Sequence, residues 1–196
     1  WLPALIDRFQ ATYPGIAVRL SLGNTETVAT AVHDGAAELG FIEGGIEDPA
    51  FVIQTVAVDR LKLVASSCHP WAQKAPTSTI DFSMAQWVCR ERGSGTRTAH
   101  EAGLQALGLG SENLSGALEL PSNEAICSAV EAGAGVTILS SLVVRRALEA
   151  GSLIAIDVDL PTRRFSLLRH RERYLTQASA AFQKLATAES DCDISA

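Results

Sequence analysis

The sequence predicts an α/β protein built as two lobes, and three observations carry that prediction. Helical and strand-like hydrophobic periods alternate along the 196 residues. A composition of 47% hydrophobic and 19% charged residues suffices for compact cores and argues against disorder. Two pairs of strand-like runs, 52–58 with 61–65 and 153–158 with 165–170, follow one another with no helix between them. Such helix-free connections are what a chain needs to cross out to a second lobe and return.

Each element has a local reason. Leu2, Leu5, Ile6 and Phe9 recur at helical spacing, and Tyr13-Pro14-Gly15 stops them. Residues 16–22 alternate like a strand, and Gly23-Asn24-Thr25 turns the chain into a helix that runs to about Gly35 with Val28, Ala29 and Val32 inward. Residues 39–42 read as a short buried strand, followed by the runs 52–58 and 61–65 and a proline-containing connection over 69–76. The alternation then resumes: strand 87–90, loop 91–95, helix 96–107, strand 117–120, helix 123–132, strand 136–139 and helix 142–150. Strands at 153–158 and 165–170 and a helix over 174–187 complete it, ahead of a polar tail, 189–196, expected to fray. Helices of this length between strands imply right-handed crossovers and mainly parallel sheets. The expected lobes are residues 1–60 with 164–196, and 61–163, with hinges near 60–63 and 162–166.

Charge and composition exclude several functions. A net charge of −6 is unlike the basic footprint with which proteins neutralise nucleic-acid phosphates. No apolar run reaches the roughly 18 residues of a membrane-spanning helix, and no leader pattern opens the chain, so a soluble, cytoplasmic protein is expected. Cys68, Cys89, Cys127 and Cys192 form no C-x-x-C pair and read as reduced thiols. His33, His69, His100 and His170 are isolated from carboxylates at metal-ligand spacing, so neither a metal nor a cofactor is expected. Ser94 stands among glycines, but Arg92 and Thr96 occupy the places where a nucleophile elbow needs glycine. The run 93–98 lacks the Gly-Lys-Ser/Thr end of a phosphate-gripping loop. The chain therefore does not read as an enzyme. Arg163, Arg164, Arg169, Arg171 and Arg173 make the one basic cluster, read as a solvated face or a subunit contact.

Three loops suit a binding site. Gly23-Asn24-Thr25, Gly93-Ser94-Gly95-Thr96 and Pro121-Ser122-Asn123 each follow an expected strand and open a helix. Each would present free backbone N–H groups, a helix dipole and a small polar side chain, a combination that favours an anion. Ser, Thr and Asn are also ordinary N-caps, and the glycines serve equally as turn residues. Repetition at one topological position, outside the carboxyl ends of strands, is what singles them out.

These segments resemble a known family. Leu2-Pro3-Ala4-Leu5 to Phe9 with Tyr13-Pro14, Gly23-Asn24-Thr25 and Leu39-Gly40-Phe41-Ile42-Glu43-Gly44 are similar to the first lobe of LysR-type effector domains. Glu91-Arg92-Gly93-Ser94-Gly95-Thr96-Arg97, Ser122-Asn123-Glu124-Ala125-Ile126 and Val130 to Val136 are similar to the second. The Gly-Ser-Gly-Thr-Arg loop and the Phe-Ile-Glu-Gly strand end resemble the branch of cysteine-biosynthesis and carbon-fixation regulators. The resemblance implies two Rossmann-like lobes in a type 2 periplasmic-binding-protein fold. It implies a homodimer or tetramer, and an N-terminal winged helix-turn-helix that alone touches DNA. That reader and the first strand of lobe I would precede Trp1. A small-molecule effector, an oxyanion or carboxylate, is expected in the interlobe cleft against Asn24, Thr25, Glu43, Ser94, Gly95, Thr96, Arg97, Ser122 and Asn123. Arg97 is expected either to grip the anion or to pair with Glu43. The competing reading is a transport-linked solute-binding protein of the same fold, which an export leader upstream would reveal.

Overall fold

The computed structural model describes residues 2–188; the tail 189–196 lies outside the described residues. In chain order the elements are α1 (Leu2–Thr12), α2 (Thr25–Asp34), β1 (Gly40–Glu43), β2 (Phe51–Ser66), α3 (Thr79–Ser83), β3 (Val88–Arg90), α4 (Gly95–Ala106) and β4 (Leu118–Leu120). They continue with α5 (Asn123–Glu131), β5 (Val136–Ser140), α6 (Ser141–Glu149), β6 (Leu153–Ile156), β7 (Thr162–His170) and α7 (Gln177–Thr187). By contacts the chain divides into unit 1, residues up to 58 with those from 164 on, and unit 2, residues 59–163.

Unit 1 gathers α1, α2, β1 and α7 with the outer parts of β2 and β7. Leu5 and Phe9 are the buried face of α1, and the Phe9 ring meets that of Phe182 on α7 edge-on at 5.0 Å. Ala29 and Val32 of α2 pack with Ile42, Phe51 and Leu168. β1 runs antiparallel to β7, with Gly40 opposite Leu168 and Glu43 opposite Phe165.

Unit 2 is a sheet buried on both faces. The two-residue period of β2 sends Leu61, Leu63 and Ala65 to one side with Trp87, Leu104, Val136 and Ile138, and Val64 to the other. There Val64 joins Leu139, Ile126, Val130 and Val144. All five residues of β5 are buried, the polar Thr137 and Ser140 included, as in a strand covered on both faces.

Four expectations need correction. Residues 16–22 join no ladder, and Leu20 and Leu22 are 51% and 91% exposed. Alternation describes a segment that can pair; pairing also needs a neighbour, and none lies beside this one among the described residues. The runs 52–58 and 61–65 are one 16-residue strand, because Asp59 and Arg60 stay extended between them. Parallel pairing is seen between β3 and β4 and in a bridge from Trp87 to Val136. The pairs β1 with β7, β2 with β5 and β2 with β6 are antiparallel, since the long strands β2 and β7 cross between the units without helices. Finally, Arg163 belongs to no solvated face: it is 5% exposed.

Candidate functional site

The expected site residues fall into two sets, one in each unit. In unit 1, Asn24 caps α2, its Oδ1 accepting from the Thr27 N–H at 2.9 Å. Thr25 Oγ1 donates to the Glu43 carbonyl at 3.3 Å, which ties the start of α2 to the end of β1. The capping role anticipated for such residues is thus what Asn24 does.

In unit 2 the parallel pair β3 and β4 ends side by side, with Arg90 opposite Leu120. Each strand leads directly into a helix, so the N-termini of α4 and α5 open from neighbouring strand ends, the place where backbone N–H groups and helix dipoles attract anions. Gly93, at φ 82°, makes the left-handed turn that a side chain would resist. Ser94 then stands at the N-cap of α4, yet its side chain makes no capping hydrogen bond, although the residue is only 3% exposed. Ser122 does cap α5, accepting from the Ala125 N–H at 3.0 Å. Its hydroxyl hydrogen can still be donated.

Arg90 joins the two loops. Its Nε and Nη2 grip both carboxylate oxygens of Glu91 at 2.7 and 2.8 Å, while Nη1 donates to Asn123 Oδ1 at 3.0 Å. Arg97 turns into its own unit. Nε donates to Glu101 at 2.8 Å, and Nη1 reaches the Arg90 carbonyl, Cys89 Sγ and Glu119 at 2.9, 3.1 and 3.2 Å. Two carboxylates of its own unit, Glu101 and Glu119, thus hold this guanidinium. Burial pushes the Cys89 thiol up, against the opposing pull of the Arg97 charge, so this cysteine is a poor nucleophile.

Thr96 exposes what the sequence could not show. Its Oγ1 accepts from Arg163 Nη1 at 3.3 Å, and Arg163 Nε donates to Asp59 Oδ2 at 2.6 Å. Ser140 Oγ donates to Asp59 Oδ1 at 3.0 Å. This network is buried throughout, Asp59 completely. It joins β2, β5, β7 and the first turn of α4, and it fixes the floor on which the Gly93–Thr96 turn rests. One turn further along α4, His100 is 1% exposed against Trp87, with ring centroids 5.2 Å apart. Burial, assisted by the Arg97 charge, pushes its pKa down to about 3, so the ring is neutral. The described residues contain no group of His, Cys, Asp and Glu arranged to hold a metal ion, and none of their helices is long and apolar enough to cross a membrane.

The family model of the LysR substrate binding domain matches residues 1–191. The chain belongs to that family. One LysR-type relative is the uncharacterized HTH-type transcriptional regulator YeiE of Escherichia coli K12, 35% identical over 183 residues, which are 92% of this chain and 61% of that protein. Another is a probable RuBisCO transcriptional regulator of Synechocystis sp., 31% identical over 188 residues, 92% of this chain and 54% of that protein. The chain thus spans about three-fifths or less of these curated relatives. The carbon-fixation regulators expected from the Gly-Ser-Gly-Thr-Arg loop are represented among the LysR relatives. Among solved structures, the CcmR regulatory domain of Synechocystis in complex with 2-PG superposes with a TM-score of 0.83 at 26% identity, covering 97% of this chain and 91% of that one. The α/β fold expected from the sequence is the LysR effector-domain fold.

Proposed function

We propose that this chain is the effector-sensing part of a longer LysR-type transcriptional regulator, and that its effector is a small oxyanion or carboxylate held in unit 2 at the N-termini of α4 and α5. The observation that carries the reading is Ser94. Its hydroxyl stands at the start of a helix, almost wholly shielded, and leaves the capping role unfilled. A ligand oxygen at that position would accept from the hydroxyl and from the first-turn N–H groups of α4. Gly95 allows the ligand to approach the backbone, Thr96 completes the first turn, and Ser122 and Asn123 add donors from the neighbouring loop. Arg97 enters through Nη2, which makes no hydrogen bond with the described residues.

Asn24, Thr25 and Glu43 form the corresponding set of unit 1. Their part in effector binding is a proposal of its own, tested by Thr25→Ala and Glu43→Gln in the same titrations. Transmission is proposed to pass through closure of the lobes and through a dimer. DNA contact is assigned to a winged helix-turn-helix outside this sequence, together with a first strand for lobe I, and the working compartment is the cytoplasm. The relatives support a regulator rather than an enzyme. The ligand of the CcmR domain supports a small molecule as effector.

Calorimetric titration against sulfur oxyanions, sugar phosphates, small carboxylates and 2-PG tests this reading. At least one anion should bind saturably, and Ser94→Ala should weaken it. Binding restricted to neutral or cationic compounds, or anion affinity untouched in both Ser94→Ala and Thr96→Ala, would show the assignment to be wrong.

A further inference from the structure

Unit 1 carries a second polar cluster, at the end of its sheet remote from Glu43. Gly40 pairs with Leu168 and Glu43 with Phe165, so Arg169 and His170 close the far end of β7. A strand advances about 3.3 Å per residue, which separates Phe165 from His170 by roughly 16 Å. The turn that follows β7 meets the C-terminal end of α2, and Gly35, Glu38, Arg169, His170, Arg173 and Tyr174 line a small cleft there.

Donors dominate its wall. Arg169 Nε is fully buried and has no hydrogen-bond partner among the described residues, a costly condition for a guanidinium group. The neighbouring arginines are employed. Arg171 donates from Nε and Nη2 to the carbonyls of Pro49 and Phe51 at 3.0 and 3.2 Å. Arg173 Nη2 donates to the His33 carbonyl at 2.7 Å, which satisfies and neutralises the C-terminal end of α2. Gly35, at φ +80°, makes room for it, since a Cβ there would collide with Arg173 Nη1. His170 Nδ1 accepts from the Glu172 N–H at 3.2 Å, so the neutral ring carries its proton on Nε2 and donates there.

The acidic groups are turned to other partners. Glu38 Oε2 accepts from Thr176 and Ser179 at 2.8 and 2.5 Å, at the N-terminus of α7, where the helix dipole favours its charge. These hydroxyls hold the Glu38 carboxyl below its ordinary range. Asp34 lies 3.1 Å from His33 Nδ1.

We propose that this cleft is a second binding site, separate from the one at α4 and α5, for a small inorganic oxyanion or short carboxylate, with Arg169 as its principal donor and His170, Arg173 and Tyr174 as secondary ones. Size limits the occupant. The cleft holds about 70 Å³, against the roughly 10–15 Å³ a cavity needs to hold one water and roughly 300 Å³ or more for an ordinary ligand pocket. An ion of a few heavy atoms fits; a ring-containing metabolite does not. The ion would pair with the Arg169 guanidinium and sit at the opposite end of α2 from Asn24 and Thr25.

Titration of the isotopically labelled protein with inorganic phosphate, and separately with acetate, at ionic strength held constant with chloride, tests the proposal by amide chemical shifts. Saturable shifts are expected at Gly35, Ala37, His170 and Arg173. The better of the two ions shows whether the site suits a tetrahedral or a planar anion. Arg169→Gln should weaken binding about tenfold or more, as loss of a charge-assisted donor does, while Arg169→Lys retains part of it. The Arg169 Nε–H signal of the unaltered protein should move with the same titration, a readout that does not depend on the variants folding. Shifts that never saturate with either ion, that persist unchanged in Arg169→Gln, that are confined to residues 94–96 and 122–123, or that leave the Arg169 Nε–H signal still, overturn it.

Discussion

Ser94 and His100 lie six residues apart on one helix and show how differently buried polar groups behave. Ser94 makes no side-chain capping bond to α4, so, on the proposed function, Ser94→Ala removes a ligand contact and no cap. One neutral hydrogen bond contributes about 0.5–1.5 kcal/mol, so effector affinity should fall several-fold in calorimetry while the melting temperature stays put. A large drop in melting temperature would instead mark Ser94 as structural. His100 is packed neutral against Trp87, its Nε2 without a partner among the described residues. Above its ordinary value of 6.5 it is neutral folded or unfolded and contributes no pH dependence. Between 6.5 and about 3 the unfolded chain takes up a proton that the folded one refuses, so stability falls as pH falls. The slope approaches about 1.4 kcal/mol per pH unit, or about 2 kcal/mol between pH 6.5 and 5. Urea unfolding of His100→Leu should show an acid slope smaller by about that amount. Equal slopes in the two proteins would mean that His100 does not govern it.

Elements were legible from sequence where their cause is local. The i,i+4 pair Leu5 and Phe9, the Gly93 turn into α4 and the three apolar residues Val136, Ile138 and Leu139 of β5 each carry their own signal, and the structure follows them. The short helix α3 was missed although Ser78 and Asp81 form a capping box, the signature of a helix start. Its five residues give too short a period to detect. The three helix-opening loops of the candidate site were readable because strand, small polar residue and helix follow within a few positions. Their support was not. Asp59 and Arg163 are 104 residues apart, and only the folded chain brings them to 2.6 Å. That pair joins the first and last residues of unit 2, with Ser140 and Thr96 attached. Removing one partner of a buried ion pair strands the other charge, at about 3–5 kcal/mol. Asp59→Ala should therefore lose that much in denaturant unfolding, and it should weaken effector binding because the α4 turn loses its floor. Replacing both partners at once, Asp59→Leu with Arg163→Met, should cost less than Asp59→Ala alone, since no uncompensated charge remains. A double variant less stable than the single one would show that the pair stabilises for some other reason.

At the scale of the molecule, charge and family membership point to a division of labour. A net charge of −6 over 196 residues repels the DNA backbone at every approach distance that salt does not screen, about 8 Å at physiological ionic strength. Non-specific affinity for DNA comes almost entirely from phosphate neutralisation by Lys and Arg. Here three of the five clustered arginines are taken up internally: Arg163 by Asp59, Arg171 by the backbone of 49 and 51, and Arg173 by the end of α2. This chain by itself should therefore retain no operator DNA in a mobility-shift experiment at physiological salt, with or without effector. It should still run at twice its monomer mass in light scattering at micromolar concentration, because LysR-type sensors are proposed to signal as closed two-fold assemblies. The two measurements separate the functions cleanly. Retention of a specific DNA sequence by this chain alone would sink the assignment of DNA contact to another domain. A strictly monomeric chain that nonetheless binds effector would move the dimer contacts, and with them the transmission of the signal, to the segment outside this sequence.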